Sequence, residues 1–513
     1  MAKKVLGIEF GSTRIKAVLI DEHHNVLAQG SHTWENRFEN GYWTYSLEDI
    51  TSGLQDAYAD LKNDVKVKLG EDLTALDAIG ISAMMHGYIA LDDKDELLVP
   101  FRTWRNTTTG EAAAELSELF GVNIPQRWSI AHLYQAILNK ETHVPDIAFL
   151  TTLAGYAHYL LTGEKVLGVG DASGMFPIDS ETGNYDLRMF GQFAELVAPK
   201  NYGWSLYEIL PKVLSAGEVA GTLTEAGAKL LDPSGALQPG TPLAPPEGDA
   251  GTGMTATNAV LPGTGNVSAG TSIFGMLVLQ KDLSKAYETI DMVTTPDGAP
   301  VAMVHCNNCT SELNAWVSLF GDVLKTFGAD VDTGALYETL FQKSLEGAPD
   351  AGGVVADPLL SGEPVLHADG GNTKFIHPLD SDFTLPNFMK AQLYSCLAAL
   401  ADGFRVFHEE GVAIDGITGH GGYFKTPGIG QQYLADALNA PVTVMETAAE
   451  GGAWGMAVLA QYMVYRQNAD ANASLPDYLQ HYVFRDAKSQ TLAPNAEGVE
   501  GFAKYLERFL EVC

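Results

Sequence analysis

The sequence predicts an α/β protein built from two duplicated lobes, and three observations lead to that prediction. The chain has 513 residues, more than a single hydrophobic core usually supports, so two or three domains are expected. An opening pattern of apolar strands and a glycine-containing turn occurs near the N-terminus and again about halfway along the chain. Strand-like and helix-like segments alternate in the C-terminal half, which is typical of α/β lobes.

The N-terminal segment carries the clearest pattern. Val5–Phe10 and Ile15–Ile20 are apolar runs, and Val26–Ser31 continues after a polar turn, which predicts three strands joined by two hairpins. A helix is predicted over Leu47–Leu69 and a further strand near Ala78–Ala83. Three antiparallel strands, a helix and another strand form the opening order of a ribonuclease-H-like lobe.

The second lobe is predicted to open in the same way. Asn266–Ala269 is expected to form a short strand, Gly270-Thr271-Ser272 the turn, and Ile273–Leu279 the returning strand. Gly11 of the first hairpin and Gly270 of the second stand about half the chain length apart. The repeat therefore indicates duplication of one architecture.

The boundary between the lobes is expected after Leu231–Pro246. This stretch holds five prolines and two glycines and has no helical period. We predict domains of residues 1–255 and 256–513 that face each other across a ligand-binding cleft.

Composition excludes several classes of function. The formal net charge is −33, from 64 acidic and 31 basic residues, so the surface repels nucleic acid and anionic lipid. Met1–Lys4 runs into an apolar strand without the features of a secretion signal, and the apolar stretch around Ile147–Leu161 is too short and too polar to span a bilayer. We therefore expect a cytoplasmic protein that binds neither nucleic acid nor membrane.

The cysteines do not indicate a disulfide framework, because four in 513 residues are too few. Cys306 and Cys309 form a CxxC motif, but no second pair stands at zinc-finger spacing. We interpret them as small residues near a buried turn, with a metal or redox role as the alternative.

Three glycine-containing loops are candidates for binding a nucleotide. No GxxxxGK[ST] run is present, which excludes a P-loop. In the hairpin turns Gly11-Ser12-Thr13 and Gly270-Thr271-Ser272, successive amides can converge on an anion and the hydroxyls add donors. Ordinary hairpin turns are the alternative for each. The loop Gly419–Lys425, between a predicted strand and helix, suits a flat ligand such as adenine.

Two carboxylates stand out. Glu9 lies in an otherwise apolar strand, where a charge is costly to bury unless a cation is near, so we expect it to place Mg²⁺ or to reach solvent. Asp249 follows the proline-rich boundary. It is predicted either to cap the helix that begins there, which the residue alone favours, or to act as a general base toward a substrate hydroxyl.

A polyol site is suggested by two further segments. Met85 and His86 end a predicted strand, and Trp104, Arg105 and Asn106 follow about 20 residues later. An aromatic face with His, Arg and Asn nearby suits stacked C–H groups and hydrogen-bonded hydroxyls. A packed Trp beside a surface Arg is the alternative.

Taken together, these segments resemble the FGGY family of carbohydrate kinases over essentially the full length of the chain. No single run is specific, but their order is. The runs are Gly7–Thr13 for the first phosphate motif, Met85-His86-Gly87 and Asp171-Ala172-Ser173-Gly174 for segments of ketopentose kinases, Gly248-Asp249 for the catalytic aspartate, Gly270-Thr271-Ser272 for the second phosphate motif, Gly419–Lys425 for the adenosine motif, and Glu450–Gly455 for the linking segment.

The resemblance implies an actin-like fold of two ribonuclease-H-like lobes with ATP in the cleft. The N-terminal lobe would carry most of the sugar site and the C-terminal lobe most of the nucleotide site, with ATP and Mg²⁺ required. Asp249 would be the catalytic base and Glu9 the residue near the metal. The remaining implied site residues are Gly11, Ser12, Thr13, Gly270, Thr271 and Ser272 at the phosphates, Gly421, Gly422, Phe424 and Lys425 at the adenosine, and Met85, His86, Trp104, Arg105, Asn106 and Asp249 at the sugar.

Within the family, three runs are similar to those of bacterial L-ribulokinases: Glu9–Lys16, Thr103–Asn106 and Pro246–Gly251. They imply phosphorylation of L-ribulose to L-ribulose 5-phosphate in arabinose catabolism, with D-xylulose or another polyol as the alternative substrate. Two departures matter. Glu9 stands where most relatives have Asp, and Asn106 and Thr108 stand where relatives have the Asp and Arg of a Trp-x-Asp-x-Arg run, so the sugar pocket is less charged.

An actin-like ATPase without sugar kinase activity is the alternative from a different class. It would need a peptide-binding extension or polymer contacts, and only about 50 residues follow the last long predicted helix, fewer than a domain usually has. The oligomeric state, for which a homodimer is the candidate, is not fixed by the sequence.

Overall fold

The structure, a computed structural model, describes residues 3–445 and 451–513. The chain divides into two compact units. The first consists of Met1–Val260, Met292–Val301 and Ala449–Asp486, and the second of Leu261–Asp291, Ala302–Ala448 and Ala487–Cys513. Glu450, which begins the predicted linking run Glu450–Gly455, lies outside the described residues.

The first part of the chain opens with five strands, which the long helix α1 follows. The elements up to residue 256 are β1 (Val5–Phe10), β2 (Arg14–Ile20), β3 (Val26–Thr33), β4 (Arg37–Glu39), β5 (Tyr42–Thr44), α1 (Leu47–Leu69), β6 (Ala78–Ala83), β7 (Ile89–Leu91), α2 (Gly110–Phe120), α3 (Ser129–Leu138), β8 (Phe149–Thr151), α4 (Leu153–Thr162), β9 (Val166–Gly168), α5 (Val169–Ala172), β10 (Ile178–Asp179), β11 (Asn184–Tyr185), α6 (Leu187–Val197), α7 (Leu206–Ile209), β12 (Lys212–Leu214), α8 (Glu225–Leu231), β13 (Glu247–Gly248) and α9 (Asp249–Ala256).

The second part contains longer helices. Its elements are β14 (Thr264–Ala269), β15 (Ile273–Val278), β16 (Asp291–Thr294), β17 (Pro300–Cys306), α10 (Thr310–Thr326), α11 (Thr333–Ser344), β18 (Val355–Asp357), β19 (Lys374–Ile376), α12 (Leu385–Glu409), β20 (Gly416–His420), α13 (Ile429–Leu438), β21 (Val442–Met445), α14 (Gly451–Asn468), α15 (Leu475–Tyr478), β22 (Ser489–Leu492) and α16 (Ala496–Val512).

The first unit is built on a five-stranded sheet in the order β13-β6-β1-β2-β3. Strand β1 pairs antiparallel with β2 and parallel with β6, and β6 pairs parallel with β13. Helix α1 begins with a capping box in which Ser46 and Asp49 satisfy each other's backbone amides, and it ends at Gly70 in the left-handed conformation. The predicted opening of three strands, a helix and a strand is confirmed.

The same arrangement recurs in a seven-stranded sheet, ordered β16-β17-β15-β14-β20-β21-β22, whose strands β14, β15, β20, β21 and β22 lie in the second unit. Strand β14 pairs antiparallel with β15 and parallel with β20, and β20 pairs parallel with β21. These pairings match those of β1 with β2, β1 with β6 and β6 with β13. The prediction of an α/β fold with two ribonuclease-H-like lobes is therefore confirmed.

Helix α14, from late in the chain, packs directly on the sheet of the first unit because glycines face it. A Cβ on Gly7 of β1 would lie 2.0 Å from the carbonyl oxygen of Ala453, and one on Gly80 of β6 would lie 2.6 Å from the Met456 side chain. Atoms cannot approach that closely, so only glycine allows the contact. The first unit thus gains residues that sequence order separates from it by about 200 positions.

Within the described ranges, no helix combines the length and apolar character needed to cross a membrane.

Candidate active site

The predicted site residues of the first unit lie at one edge of its sheet. Strands β1, β6 and β13 run parallel and end at neighbouring positions, since Glu9 is in register with Ser82 and Ser82 with Glu247. The segments that follow the three strands are the turn Gly11–Thr13, the turn Met84–Gly87 and Asp249. The carboxyl ends of parallel strands in such sheets are where ligands commonly bind.

Asp249 is the first residue of α9, and Gly248 is the N-cap residue. The interpretation of Asp249 as the helix cap is therefore wrong. The Asp249 carboxylate instead accepts a hydrogen bond from the backbone amide of Met85, with 3.4 Å between N and Oδ1. This contact joins the end of β13 to the end of β6.

The carboxyl group of Asp249 is more basic than usual. Desolvation by the surrounding protein and repulsion by Glu9 raise its pKa to about 6, against opposing hydrogen bonds from backbone amides, led by that of Met85. The Asp249 side chain nevertheless stays exposed to solvent. A carboxylate that is enclosed yet accessible suits proton transfer near neutral pH.

Glu9 is a half-buried residue of β1, and its side chain contacts the start of α14. Burial raises its pKa, while the ammonium of Lys16 and a hydrogen bond from the backbone amide of Ala453 lower it. A Cβ on Gly452 would lie 2.3 Å from Oε1 of Glu9, so this carboxylate touches the first turn of the helix. We predicted that Glu9 would either place Mg²⁺ or reach solvent, and neither prediction included this contact with α14.

Two buried carboxyl groups behind Asp249 escaped the sequence analysis as functional candidates. Asp171 is fully buried, and Oδ2 accepts a hydrogen bond of 2.6 Å from the hydroxyl of Thr152. Burial, and then repulsion by Asp249, raise the pKa of Asp171 to about 7. Glu247 accepts hydrogen bonds from the amides of Gly170, Asp171 and Gly248, and burial raises its pKa to about 8. Both residues stand in runs that carry the family resemblance, Asp171–Gly174 and Pro246–Gly251, but neither was predicted to be a site residue.

Met85 lies beside Asp249, and the side chains of Met85 and His86 both pack against Gly174. A Cβ on Gly174 would lie 2.6 Å from Nδ1 of His86 and 2.9 Å from Cε of Met85. His86 has a φ of 70°, its Nδ1 is 3.1 Å from the carbonyl oxygen of Gly174, and its ring stacks on that of Trp128. A left-handed backbone at a residue other than glycine is held here by its surroundings, as is common at functional sites.

Trp104 and Arg105 line a separate part of the first unit. An open recess of about 410 Å³ is bordered by Ser12, Thr13, Trp34, Glu35, Asn36, Trp104 and Arg105. Arg105 is exposed, and its guanidinium lies 3.9 Å from the centre of the Trp43 ring. The two residues therefore adjoin the first glycine turn.

Asn106 does not point to a ligand. Its Oδ1 accepts from the amide of Trp43, and its Nδ2 donates to the carbonyl oxygens of Trp43 and Thr103. Both amide hydrogens are thus used to hold β5 in place, and the residue is 2% exposed. We therefore assign Asn106 a structural role instead of the predicted contact with the sugar.

The first glycine turn, Gly11–Thr13, connects β1 to β2 and exposes both hydroxyl residues. The amide of Gly11 donates to the carbonyl oxygen of Arg14 and closes the turn. The described residues provide no acceptor for the amides of Ser12 and Thr13. These donors are therefore available to an anion.

In the second unit, the second glycine turn and the glycine loop adjoin each other. Gly270–Ser272 connects β14 to β15, and a Cβ on Gly421 would lie 2.4 Å from the carbonyl oxygen of Ala269. Gly421 has a φ of 107°, which glycine adopts readily. Gly422 and Lys425 are exposed beside it.

Phe424 differs from its prediction as an edge of the adenosine site. It is 7% exposed, and its ring fills the space where Gly419 lacks a side chain, 2.9 Å from a Cβ built there. The ring thus packs beneath the loop and supports its backbone.

A metal role for the CxxC motif has no structural support. Cys306 and Cys309 are free and buried, and burial raises the pKa of both thiols. Over residues 3–445 and 451–513, no group of three or more His, Cys, Asp and Glu side chains is arranged to hold a metal ion. Mg²⁺ that binds together with ATP requires fewer protein ligands, because one or two carboxylates and the phosphates suffice. The neighbouring charges of Glu9 and Asp249 fit that requirement.

Two family profiles together match most of the chain. The N-terminal domain of the FGGY family of carbohydrate kinases matches residues 4–250, and its C-terminal domain matches residues 265–464.

Individual relatives are distant but extend over the full length. A xylulose kinase of Haemophilus influenzae is 23% identical over 528 aligned positions, covering 98% of each chain. The crystal structure of a ligand-bound xylulose kinase from Lactobacillus acidophilus has a TM-score of 0.79 at 18% identity and covers 99% of this chain and 97% of that one. A gluconate kinase from Lactobacillus acidophilus has the same TM-score and identity, with coverage of 100% and 98%. At such identities the structural likeness concerns the fold.

Proposed function

This chain belongs to the FGGY family of carbohydrate kinases, and from that premise we propose that it transfers the terminal phosphoryl group of ATP to a hydroxyl of a ketopentose. D-Xylulose is the first candidate and L-ribulose the second. The observation that carries the proposal is Asp249: an accessible carboxylate with a raised pKa, next to Met85 and Glu9 at the carboxyl edge of the sheet.

Asp249 acts as the general base in this mechanism. Its carboxylate accepts the proton of the attacking hydroxyl as the oxygen bonds to phosphorus, and ADP leaves with the electron pair of the broken bond. The raised pKa makes this transfer easier than it would be for an ordinary aspartate. Met85 fixes the carboxylate through its amide, and His86, the next residue of the same turn, is proposed to contact the sugar.

The nucleotide is assigned to three loops. The amides and hydroxyls of Gly11–Thr13 and Gly270–Ser272 are proposed to bind phosphate oxygens, and Gly421, Gly422 and Lys425 to border the adenosine. Mg²⁺ would neutralise charge that develops on the transferred group. Glu9 would hold the ion, directly or through water, while Lys16 balances the carboxylate charge.

The substrate assignment follows from two opposing arguments. Three sequence runs resemble L-ribulokinases, whereas two relatives that align with 90% or more of the chain carry the name xylulose kinase. Similarity over the full length outweighs short runs, so D-xylulose is placed first. Trp104 and Arg105 would contact the sugar chain from the recess beside the first turn.

A substrate panel tests the proposal. ADP release is measured with D-xylulose, L-ribulose, D-gluconate and glycerol, with a blank that lacks sugar. We expect turnover to require a sugar and kcat/KM to be highest for D-xylulose. The highest value for L-ribulose would reverse the order of the two substrates. ATP hydrolysis of the same rate in the blank would refute the kinase and favour an actin-like ATPase.

A further inference from the structure

Behind the first glycine turn stands a stacked aromatic pair, Trp34 and Tyr45. Their ring centres are 4.0 Å apart with 23° between the planes, and they are 6% and 1% exposed. Trp34 also packs against Phe10, the last residue of β1. The pair therefore belongs to the core and is rigid on the scale of the turn that it touches.

Each polar group of the pair is bonded to the turn. The indole N–H of Trp34 donates to the carbonyl oxygen of Gly11 at 2.7 Å. The hydroxyl of Tyr45 donates to the backbone carbonyl oxygen of Ser12 at 2.6 Å. The backbone amide of Trp34 donates to the carbonyl oxygen of Thr13 at 3.2 Å. Burial raises the pKa of Tyr45, so its hydroxyl stays a donor at neutral pH.

Three consecutive carbonyl groups are thus held from the aromatic side. In a planar trans peptide the carbonyl of one residue and the amide of the next point in opposite directions. Fixing the carbonyls of Gly11 and Ser12 therefore turns the amides of Ser12 and Thr13 away from the pair. Those two amides have no acceptor among the described residues, and Ser12 and Thr13 border the open recess.

The second glycine turn is restrained in the same manner by a different element. The carbonyl oxygen of Gly270 accepts from both the amide and the hydroxyl of Thr310, at 3.0 and 2.7 Å, and that of Thr271 accepts from the amide of Cys309. Thr310 is the first residue of α10. The CxxC motif thus lies where its backbone secures the turn.

From these contacts we infer that Trp34 and Tyr45, and Thr310 in the second unit, are positioning residues that aim the amides of the two turns at the phosphates of the nucleotide. The inference rests on the proposed function for the assignment of the turns. It adds that turn geometry is fixed before the nucleotide binds, so that binding does not have to order the loop. Losing one such donor weakens the hold on the phosphates and leaves contacts with adenosine unchanged.

Direct binding of ADP and of AMP tests the inference independently of sugar turnover. Tyr45→Phe keeps the stack and removes the hydroxyl that donates to Ser12 and is also hydrogen-bonded to Asn36, and Thr310→Val removes the hydroxyl that donates to Gly270 and accepts from Asn314. Each should weaken ADP binding and raise KM for ATP about fivefold, the effect of one lost hydrogen bond. Affinity for AMP and KM for the sugar should stay within about twofold of the wild-type values.

The matched control is Tyr58→Phe. Tyr58 is a buried tyrosine of α1 whose hydroxyl has no partner among the described residues. This change should therefore alter the affinity for neither ADP nor AMP. If Tyr45→Phe does not fold, Trp34→Phe replaces it as the test variant, because it removes the indole donor to Gly11. Unchanged ADP affinity in the positioning variants, or equal losses for ADP and AMP, would overturn the inference. Weakened ADP binding in a protein that phosphorylates no sugar would keep the inference and remove the proposed substrate.

Discussion

Replacing Asp249 by asparagine is the sharpest test of the proposed mechanism. The amide oxygen of asparagine can still accept from the amide of Met85, now 3.4 Å from Oδ1, and the volume of the side chain is kept. The repulsion between Asp249 and Glu9 disappears, so the fold should be as stable as the wild type or more so. What the variant loses is a base of pKa about 6, which is mostly ionised at neutral pH.

General-base catalysis contributes about 10²–10⁴ in rate, or roughly 3–5 kcal/mol of transition-state stabilisation. We therefore expect Asp249→Asn to lower kcat by at least about 100-fold. The binding of ADP and the midpoint of thermal unfolding should stay near the wild-type values. The assay is ADP release at saturating sugar, with ADP affinity measured by calorimetry.

The control for this variant is Asp186→Asn, in the same unit. Asp186 is the N-cap of α6, where its carboxylate accepts from the amide of Met189, and asparagine caps helices equally well. Its activity should match the wild type. Turnover of Asp249→Asn within about threefold of wild type would remove this residue from the chemistry, because a general base contributes far more. A parallel loss of ADP affinity would assign it to nucleotide binding.

Two further predictions concern pH and packing. The kcat/KM for the sugar should decrease as the pH falls below about 6, because the pKa of Asp249 is raised to about 6 and its protonated form cannot act as a base. A decrease only near pH 4, the ordinary pKa of an aspartate, would contradict this. Gly7→Ala should cost about 3 kcal/mol or more in unfolding free energy, since the new Cβ lies 2.0 Å from the Ala453 carbonyl oxygen. Gly253→Ala, in open space on α9, should change stability by at most about 1 kcal/mol, and equal losses in both variants would refute the packing argument.

The secondary structure around the site was readable from the sequence because its signals are local. Strand β1 and helix α1 have the predicted bounds, and the glycine turns fall between the predicted strands. Alternation of apolar residues and the position of Gly11 depend only on neighbours in the chain. The same holds for the repeat, since each lobe carries its own hairpin and turn.

The contacts of individual side chains were less predictable. Asn106 was predicted to contact the sugar, yet its hydrogen bonds go to the backbone of Trp43 and Thr103. Phe424 followed exposed glycines, yet it packs against Gly419. In both cases the direction of a side chain depends on what lies behind it, and residue type and spacing do not encode that direction.

The sequence by itself determined the two-lobed α/β class, the places of the glycine turns and the position of Asp249 at a strand end. Tertiary structure alone decided that Glu9 lies near enough to Asp249 to raise its pKa, that Asp249 in turn raises the pKa of Asp171, and that aromatic rings 20 to 35 residues away orient the first turn. The physical reason is range. Periodicity and turn conformation act between neighbouring residues, whereas desolvation, charge repulsion and the donors that fix a carbonyl group arise only when distant segments pack together.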